Sequence, residues 1–367
     1  MSIEDLDLSI EKGLLFIENR QFANGGFPCL IAETENCIVE DLLEFDDGVK
    51  KSKVTQEDDT VFPASLIGLS LLHLKDNAGA RKILDQVASF LLQNKSHYDM
   101  WRHYIGAHQL STLVPNDLDN SAIASFLLKE LGFPAPNNYS FFNSNRSTNG
   151  LFYTWVTFRI QWVSNIKYWL SLWREFRHPI GQYYFWKLMP CEKGDIDAGV
   201  NSNVLFYLGE GDNTEAVVDL MVQVIQEGRE ETCDKWYSRA ILIYYFFSKN
   251  IQKGIPKLEP LKEIIKNRIS AEFKSDGQIF KSALDTALAV STLIDIGYPQ
   301  DIPKKSIQYL LDAQNPEGSW DKWMIYYAGH DRTSGYGDDA ISTSFVLEAL
   351  HKYKMYQLSL SPEFVNS

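Results

Sequence analysis

The chain is poor in positive charge. Its 367 residues carry 35 Lys and Arg against 48 Asp and Glu, a net charge of −13. Phosphate backbones are bound by basic faces, so no nucleic-acid partner is expected. Long apolar runs are missing as well. The most hydrophobic stretch, Leu151 to Trp173, is interrupted by Arg159, Gln161, Asn165 and Lys167, which excludes a membrane-spanning helix there. The four cysteines (Cys29, Cys37, Cys191 and Cys233) form no Cys-x-x-Cys pair, so neither a zinc knuckle nor a redox motif is indicated. Met1 to Ile10 is acidic and has no basic start before an apolar run. We therefore expect no secretory leader and a cytoplasmic location. There is no Walker loop, no Gly-x-Ser-x-Gly, no Asp-Asp-x-x-Asp and no His-Glu-x-x-His. His103 and His108 are five apart and do not share a helical face, so no metal site is expected.

Aromatic residues, by contrast, are abundant: 9 Trp, 18 Tyr and 21 Phe. With 45% hydrophobic residues the chain can build a full core, and we read residues 1–367 as one domain. Apolar residues recur at helical spacing, as in Ile83, Leu84, Val87, Phe90 and Leu91, or Ala122, Ile123, Phe126, Leu127 and Leu131. The chain is thus predicted to be all-α. Trp155, Trp162, Trp169 and Trp173 are spaced by 7, 7 and 4 and read as one packing or interface face of a helix. That amphipathic stretch leaves room for peripheral membrane contact.

Two units repeat along the chain. One is an acidic turn before an apolar run: Glu57-Asp58-Asp59-Thr60, Asp117-Leu118-Asp119-Asn120-Ser121, Asp195-Ile196-Asp197, Leu284-Asp285-Thr286 and Asp338-Asp339. The other is a turn of glycine followed by an aromatic. Gln21-Phe22-Ala23-Asn24-Gly25-Gly26-Phe27 superposes without a gap on Gln314-Asn315-Pro316-Glu317-Gly318-Ser319-Trp320. Asp276-Gly277-Gln278-Ile279-Phe280 is a looser copy. The units alternate as helix, turn, acidic cap, helix. Such hairpins cannot bury their faces singly and must stack. Closing the stack into a ring leaves inner helices around a central cavity.

The segment 314–320 resembles the repeat motif of triterpene cyclases and protein prenyltransferases. Pro115 to Ala122 resembles the Asp-x-Asp-Asp-Thr-Ala motif of class II terpene cyclases, and Gly337 to Leu350 is similar to their last inner helix. The resemblance runs from about residue 10 to about residue 350. It implies an α/α toroid of about six helical hairpins, with an inner and an outer ring. It also implies a reaction: protonation of a linear isoprenoid, followed by cyclisation or isomerisation in an aromatic cavity. On this alignment Asp119 is the protonating acid, Asp117 its neighbour, and Asn120 occupies a position where the family has Asp. The protein prenyltransferases hold zinc with Asp, Cys and His, but the helix start at Asp338 lacks the His and Cys.

Protonating an alkene needs a carboxylic acid that keeps its proton in a dry cavity. An Asp has an ordinary pKa of about 3.9, and burial or a like charge raises it. Asp117 and Asp119 provide two carboxylates on one turn, and Asn120 is expected to orient Asp119 by hydrogen bonding. Carbocations are stabilised by π faces, each worth roughly 0.5–2 kcal/mol. The expected lining is Phe62, Trp101, Tyr104, Tyr153, Trp155, Phe206, Trp236, Tyr237, Trp323 and Tyr326. Second-choice acids are Asp195, Asp197, Asp58 and Asp59, although most acidic turns should simply cap helices.

No cofactor is expected, save Mg2+ if the substrate is a diphosphate. Glu40-Asp41-Leu42-Leu43-Glu44 with Asp46 and Asp47 is a candidate for holding it, but reads first as an acidic surface loop. The expected partner is a small isoprenoid; a single barrel would complete its site by a self-contained cavity, a homodimer or another partner. Two other readings fit the same residues. One is a non-catalytic toroid that binds a lipid or acts as a scaffold. The other is a carbohydrate-active α/α barrel that uses two carboxylates.

Overall fold

The computed structural model describes residues 2–34, 38–39, 53–57, 60–96, 98–106, 108–160 and 163–360. Asp58, Asp59, Trp162 and the acidic run at 40–47 lie outside these residues, as does Cys37. Among the described residues are fourteen α-helices and six short strands.

Six of the helices form a closed inner ring. They are α2 (Phe62–Leu71), α4 (Leu118–Glu130), α8 (Ala198–Leu208), α10 (Ala240–Gln252), α12 (Ala283–Asp295) and α14 (Asp339–Ser359). Each packs on the next in chain order, and α14 packs back on α2. Their sequences show why they are inside. All ten residues of α2 are buried, as are Ile241 to Ile251 of α10. A helix that is apolar on every side belongs between other elements.

The outer helices are amphipathic instead. Among them, α1 (Ile3–Arg20) buries Leu6, Ile10, Leu14 and Ile17, at i, i+4, i+8 and i+11. The others are α3 (Ala78–Asn94), α9 (Glu215–Glu227), α11 (Leu261–Ser270) and α13 (Lys304–Asp312). The α/α toroid read from the repeats is the fold observed. Between α4 and α8 the chain adds three helices: α5 (Tyr139–Ser144), α6 (Ile166–Arg177) and α7 (Pro179–Leu188).

The repeated turns are structural clamps. Gly25, Gly277 and Gly318 have positive φ angles of 90°, 100° and 99°. A Cβ on any of them would meet a backbone carbonyl of an outer helix: Gln86 in α3, Lys305 in α13 and Lys12 in α1 respectively. Glycine is required on both counts. Gln21 donates to the carbonyls of Gly25 and Ile83, and Gln314 to those of Gly318 and Ser9. The indole N–H of Trp320 donates to Leu310 O at 2.6 Å. Trp101 makes the same bond, over the same ten-residue separation, to Leu91 O at 2.8 Å. Trp101 is thus a copy of the clamp that has lost its glycine.

Two small antiparallel sheets were not expected for an all-α chain. Strands β1 (Cys29–Glu33), β2 (Lys53–Glu57), β5 (Tyr326–Tyr327) and β6 (Ser334–Gly337) pair in the order β2-β1-β6-β5. This joins early and late segments of the chain beside the start of α14. Strands β3 (Asn116–Asp117) and β4 (Trp155–Val156) place Asp117 opposite Trp155. The pairing corrects the reading of one tryptophan stripe. Trp155 lies in a strand held by Asp117, whereas Trp169 and Trp173 lie on α6.

The end of the ring formed by the helix C-termini is closed by buried charge. Lys249, Asp295, Glu348 and Lys352 are all buried. Lys352 Nζ lies 2.6 Å from Asp295 Oδ1 and 2.7 Å from Glu348 Oε1, and Lys249 Nζ lies 2.9 Å from the latter. The Tyr245 hydroxyl donates to Glu348 Oε2 at 2.7 Å.

Candidate active site

The opposite end of the ring opens into a pocket with about 660 Å³ of free space, its mouth included. It lies at the starts of the inner helices. Phe62 begins α2, Asp117 caps α4, Val200 is in the first turn of α8, Trp236 and Tyr237 precede α10, and Tyr336 precedes α14.

Asp117 and Asp119 sit in this wall and are 3% and 8% exposed. Asp117 is the N-cap of α4. Its carboxylate accepts from the backbone N–H of Asn120 at 2.7 Å and from Asn120 Nδ2 at 3.1 and 2.9 Å. Asn120 was expected to orient Asp119; it holds Asp117 instead. The Asp119 carboxylate is shared by two other helical units. Asn203 Nδ2 of α8 donates to Oδ1 at 2.7 Å, and the Tyr237 hydroxyl donates to Oδ2 at 2.5 Å.

Burial raises both acids. Asp117 is pushed up to about 8, with the negative charge of Asp119 adding to the rise and Asn120 opposing it. Asp119 is pushed up to about 6, its two donors limiting the rise. The pair titrates in two steps, the first mainly from Asp119. Tyr237 is held well above the ordinary tyrosine range by burial and the Asp119 charge, so it is a neutral donor. His103 is pushed down to about 3 by burial, and Cys191 up to about 12; both face the pocket uncharged.

The rest of the wall is aromatic. Tyr326 stacks on Tyr336 with ring centres 4.6 Å apart, and Phe62 meets the Tyr326 ring edge-on at 5.0 Å. Trp155 and Trp236 meet edge-on at 5.7 Å. Thus Phe62, Tyr104, Trp155, Trp236, Tyr237 and Tyr326 line one pocket together with Asp117, Asp119 and Asn120.

Four expected lining residues lie elsewhere. Trp101 is committed to its clamp. Tyr153 lies under the Arg159 guanidinium at 3.9 Å. Phe206 packs on Phe126 at 4.2 Å, near the C-terminus of α8. Trp323 is buried in the core before β5. The second-choice acids are tied into turns. The Thr154 hydroxyl donates to Asp197 at 2.5 Å and the Lys235 ammonium to Asp195 at 2.7 Å, while the Lys235 N–H donates to Asp197 at 3.0 Å. Burial nevertheless raises Asp197 to about 6. Among the described residues no three His, Cys, Asp or Glu side chains are grouped to hold a metal ion.

Sequence reasoning missed Asn203, Thr154, Phe185, Met189 and Tyr336. Asn203 left a signal: Asn201-Ser202-Asn203 is polar inside an otherwise apolar inner helix, and all three residues are buried.

The overall fold has counterparts among solved structures. The type II terpene cyclase MstE from Scytonema, in complex with geranylgeranyl dihydroxybenzoate, superposes with a TM-score of 0.69. Identity is 15%, over 96% of this chain and 98% of that one. The fold is that of the type II terpene cyclases. A protein from Actinoplanes matches with a TM-score of 0.66 and 17% identity, over 95% and 99% of the two chains. The ent-copalyl diphosphate synthase from Streptomyces platensis matches 80% of this chain with half of its own, at a TM-score of 0.54 and 14% identity. No family model and no curated protein matches the sequence.

Proposed function

We propose that this protein is a class II terpene cyclase that protonates a linear isoprenoid and directs its cyclisation or isomerisation in the aromatic pocket. The observation that carries the reading is the buried pair Asp117/Asp119 at the wall of that pocket, with two donors already aimed at Asp119.

The chemistry follows from those contacts. Protonated Asp119 gives its proton to a substrate alkene or epoxide. The carboxylate that forms keeps both hydrogen bonds, from Asn203 and Tyr237, and lies in the first turn of α4, where the helix dipole favours negative charge. These interactions strengthen as charge develops, which is where they lower a barrier. Asp117, with the higher pKa, stays protonated and adds no repulsion. The positive charge left on the substrate meets the faces of Phe62, Trp155, Trp236 and Tyr326. Loss of a proton at the end regenerates the acid, so the product is an isomer of the substrate.

The test is incubation with linear C15 and C20 isoprenoids bearing alcohol, acid, aromatic or diphosphate ends, with and without Mg2+, read by chromatography and mass spectrometry. The expected result is a cyclic isomer of unchanged mass that Asp119→Asn no longer forms. Equal product from Asp119→Asn would refute the assignment. If every substrate is bound but returned unchanged, the toroid is a carrier.

A further inference from the structure

We propose that the outer face of α6 and α7 seats this protein on an anionic lipid surface. Among the described residues, sixteen large hydrophobic side chains are exposed, and ten of them fall between Phe158 and Leu188. On α6 they follow one stripe: Ile166, Leu170 and Trp173 are at i, i+4 and i+7. On α7 the stripe is Ile180, Tyr183, Tyr184 and Leu188. Trp173 is 63% exposed and Leu188 74%. Only His178 separates the two helices. Their other sides are anchored. Tyr168 donates to Asn145 and to the Thr157 carbonyl, and Glu175 accepts from Thr157. The apolar stripes are therefore held outward by an underside bonded to the rest of the chain. Monomeric soluble proteins rarely expose so much apolar surface in one place.

Charge selects the occupant. Between residues 158 and 193 the sequence holds six Lys and Arg and two Glu, within a chain of net charge −13. Lys167, Arg177, Lys187 and Lys193 are exposed around the stripes. Of the two acids, Glu175 is buried and bonded inward. A second copy of the chain would bring this basic face against itself, since a two-fold contact uses the same patch twice. Anionic lipid head groups attract it instead, while the apolar stripe and its Trp and Tyr enter the head-group boundary. The inner side of the same helix is a pocket wall: Phe185 of α7, and Met189 just after it, line the pocket. Docking would place the pocket within one helix thickness of the bilayer, where a linear isoprenoid is dissolved.

The experiment is flotation of the full chain with vesicles of phosphatidylcholine alone and of phosphatidylcholine with one third phosphatidylglycerol. It needs no substrate, so it is independent of the proposed chemistry. The bound fraction should rise at least tenfold on the anionic vesicles and fall with added salt. Trp173→Glu combined with Leu188→Glu should abolish binding with an unchanged circular dichroism spectrum. If that spectrum changes, Trp173→Ser with Leu188→Ser takes its place. Lys167→Glu with Lys187→Glu should remove the preference for anionic lipid. The proposal is overturned if the wild type stays unbound on both vesicles, or if the Trp173/Leu188 variant binds as well as the wild type. It is also overturned if the wild type is a dimer without lipid and that variant is a monomer, which would make the face a self-interface.

Discussion

The Tyr237 hydroxyl donates to Asp119 Oδ2 across 118 positions of sequence, from the turn before α10 to the first turn of α4. The bond ties two inner-ring units together at the acid itself. Removing it by Tyr237→Phe leaves Asp119 buried with one donor fewer. A hydrogen bond to a charged group is worth about 1.5–3 kcal/mol, or roughly 10- to 150-fold in rate if it is fully expressed in the transition state. Turnover should fall by that factor. The pH limb assigned to Asp119 should move upward, since the tyrosine bond is the larger of the two that hold its pKa down. A truncation that merely loosened the fold would lower turnover without moving the limb.

The two carboxylates make separable predictions. An acid must be protonated to act, so kcat/KM should fall as pH rises through about 6 if Asp119 is the donor. Asp117 is still protonated, and uncharged, in that range. Asp117→Asn should therefore leave the limb near 6, while Asp119→Asn should eliminate turnover at every pH. A limb near 8 that disappears in Asp117→Asn would reverse the two roles.

The same pair ties stability to pH. Asp117 has a folded-state pKa near 8 against 3.8 for the ordinary group. The raised value means that the folded state binds the proton more tightly. Its contribution is complete below about pH 4 and is lost as pH rises through about 8. Asp117→Asn keeps a neutral capping side chain. Chemical denaturation at a series of pH values should show wild type losing, relative to this variant, on the order of a few kcal/mol between pH 4 and 8.

The glycine clamps can be tested at Gly318. An added Cβ would lie 2.4 Å from Lys12 O, at a φ that L residues rarely adopt. Gly318→Ala should destabilise the protein by roughly 1–3 kcal/mol, read as a lower denaturation midpoint. Gly132 also has a positive φ, but a Cβ there would meet nothing within 4 Å. Gly132→Ala should therefore cost less, and the difference isolates the close approach.

Much of this was legible because the repeats are local. The Gln314-to-Trp320 turn carries its own glycine, its own hydrogen bonds and its own aromatic, so its copies at 21–27 and 276–280 can be matched by eye. Inner helices announce themselves by being apolar all round. The pocket is a different matter. It collects residues from five of the six ring units and from α7, so nothing local distinguishes a lining aromatic such as Tyr336 from a core aromatic such as Trp323. Trp101 was misread for that reason: it stands sixteen positions before Asp117 and suggests a pocket neighbour, yet its indole is spent on Leu91 O. The acidic turn at 117–120 was located, but not which carboxylate Asn120 would bind. That depended on Asn203 and Tyr237 arriving from two later helical units to occupy Asp119.

The buried charges at the far end of the ring carry the last prediction. Glu348 is fully buried and is contacted by Lys249, Lys352 and Tyr245, with His73 Nε2 3.4 Å away. Burial pushes His73 down to about 4, so it is neutral at pH 7 and leaves the two lysines balanced by Asp295 and Glu348. Glu348→Ala would leave two buried ammonium groups facing one buried carboxylate. Breaking a buried pair in this way costs about 3–5 kcal/mol, because the orphaned charge is not resolvated. Glu348→Gln keeps the shape and one acceptor, so it should cost less than Glu348→Ala. Replacing Lys249 and Glu348 together by Met and Leu removes one charge of each sign and should recover most of the loss. Denaturant titration of the three variants decides the matter. Equal stability of Glu348→Ala and wild type would show that water reaches this end of the ring.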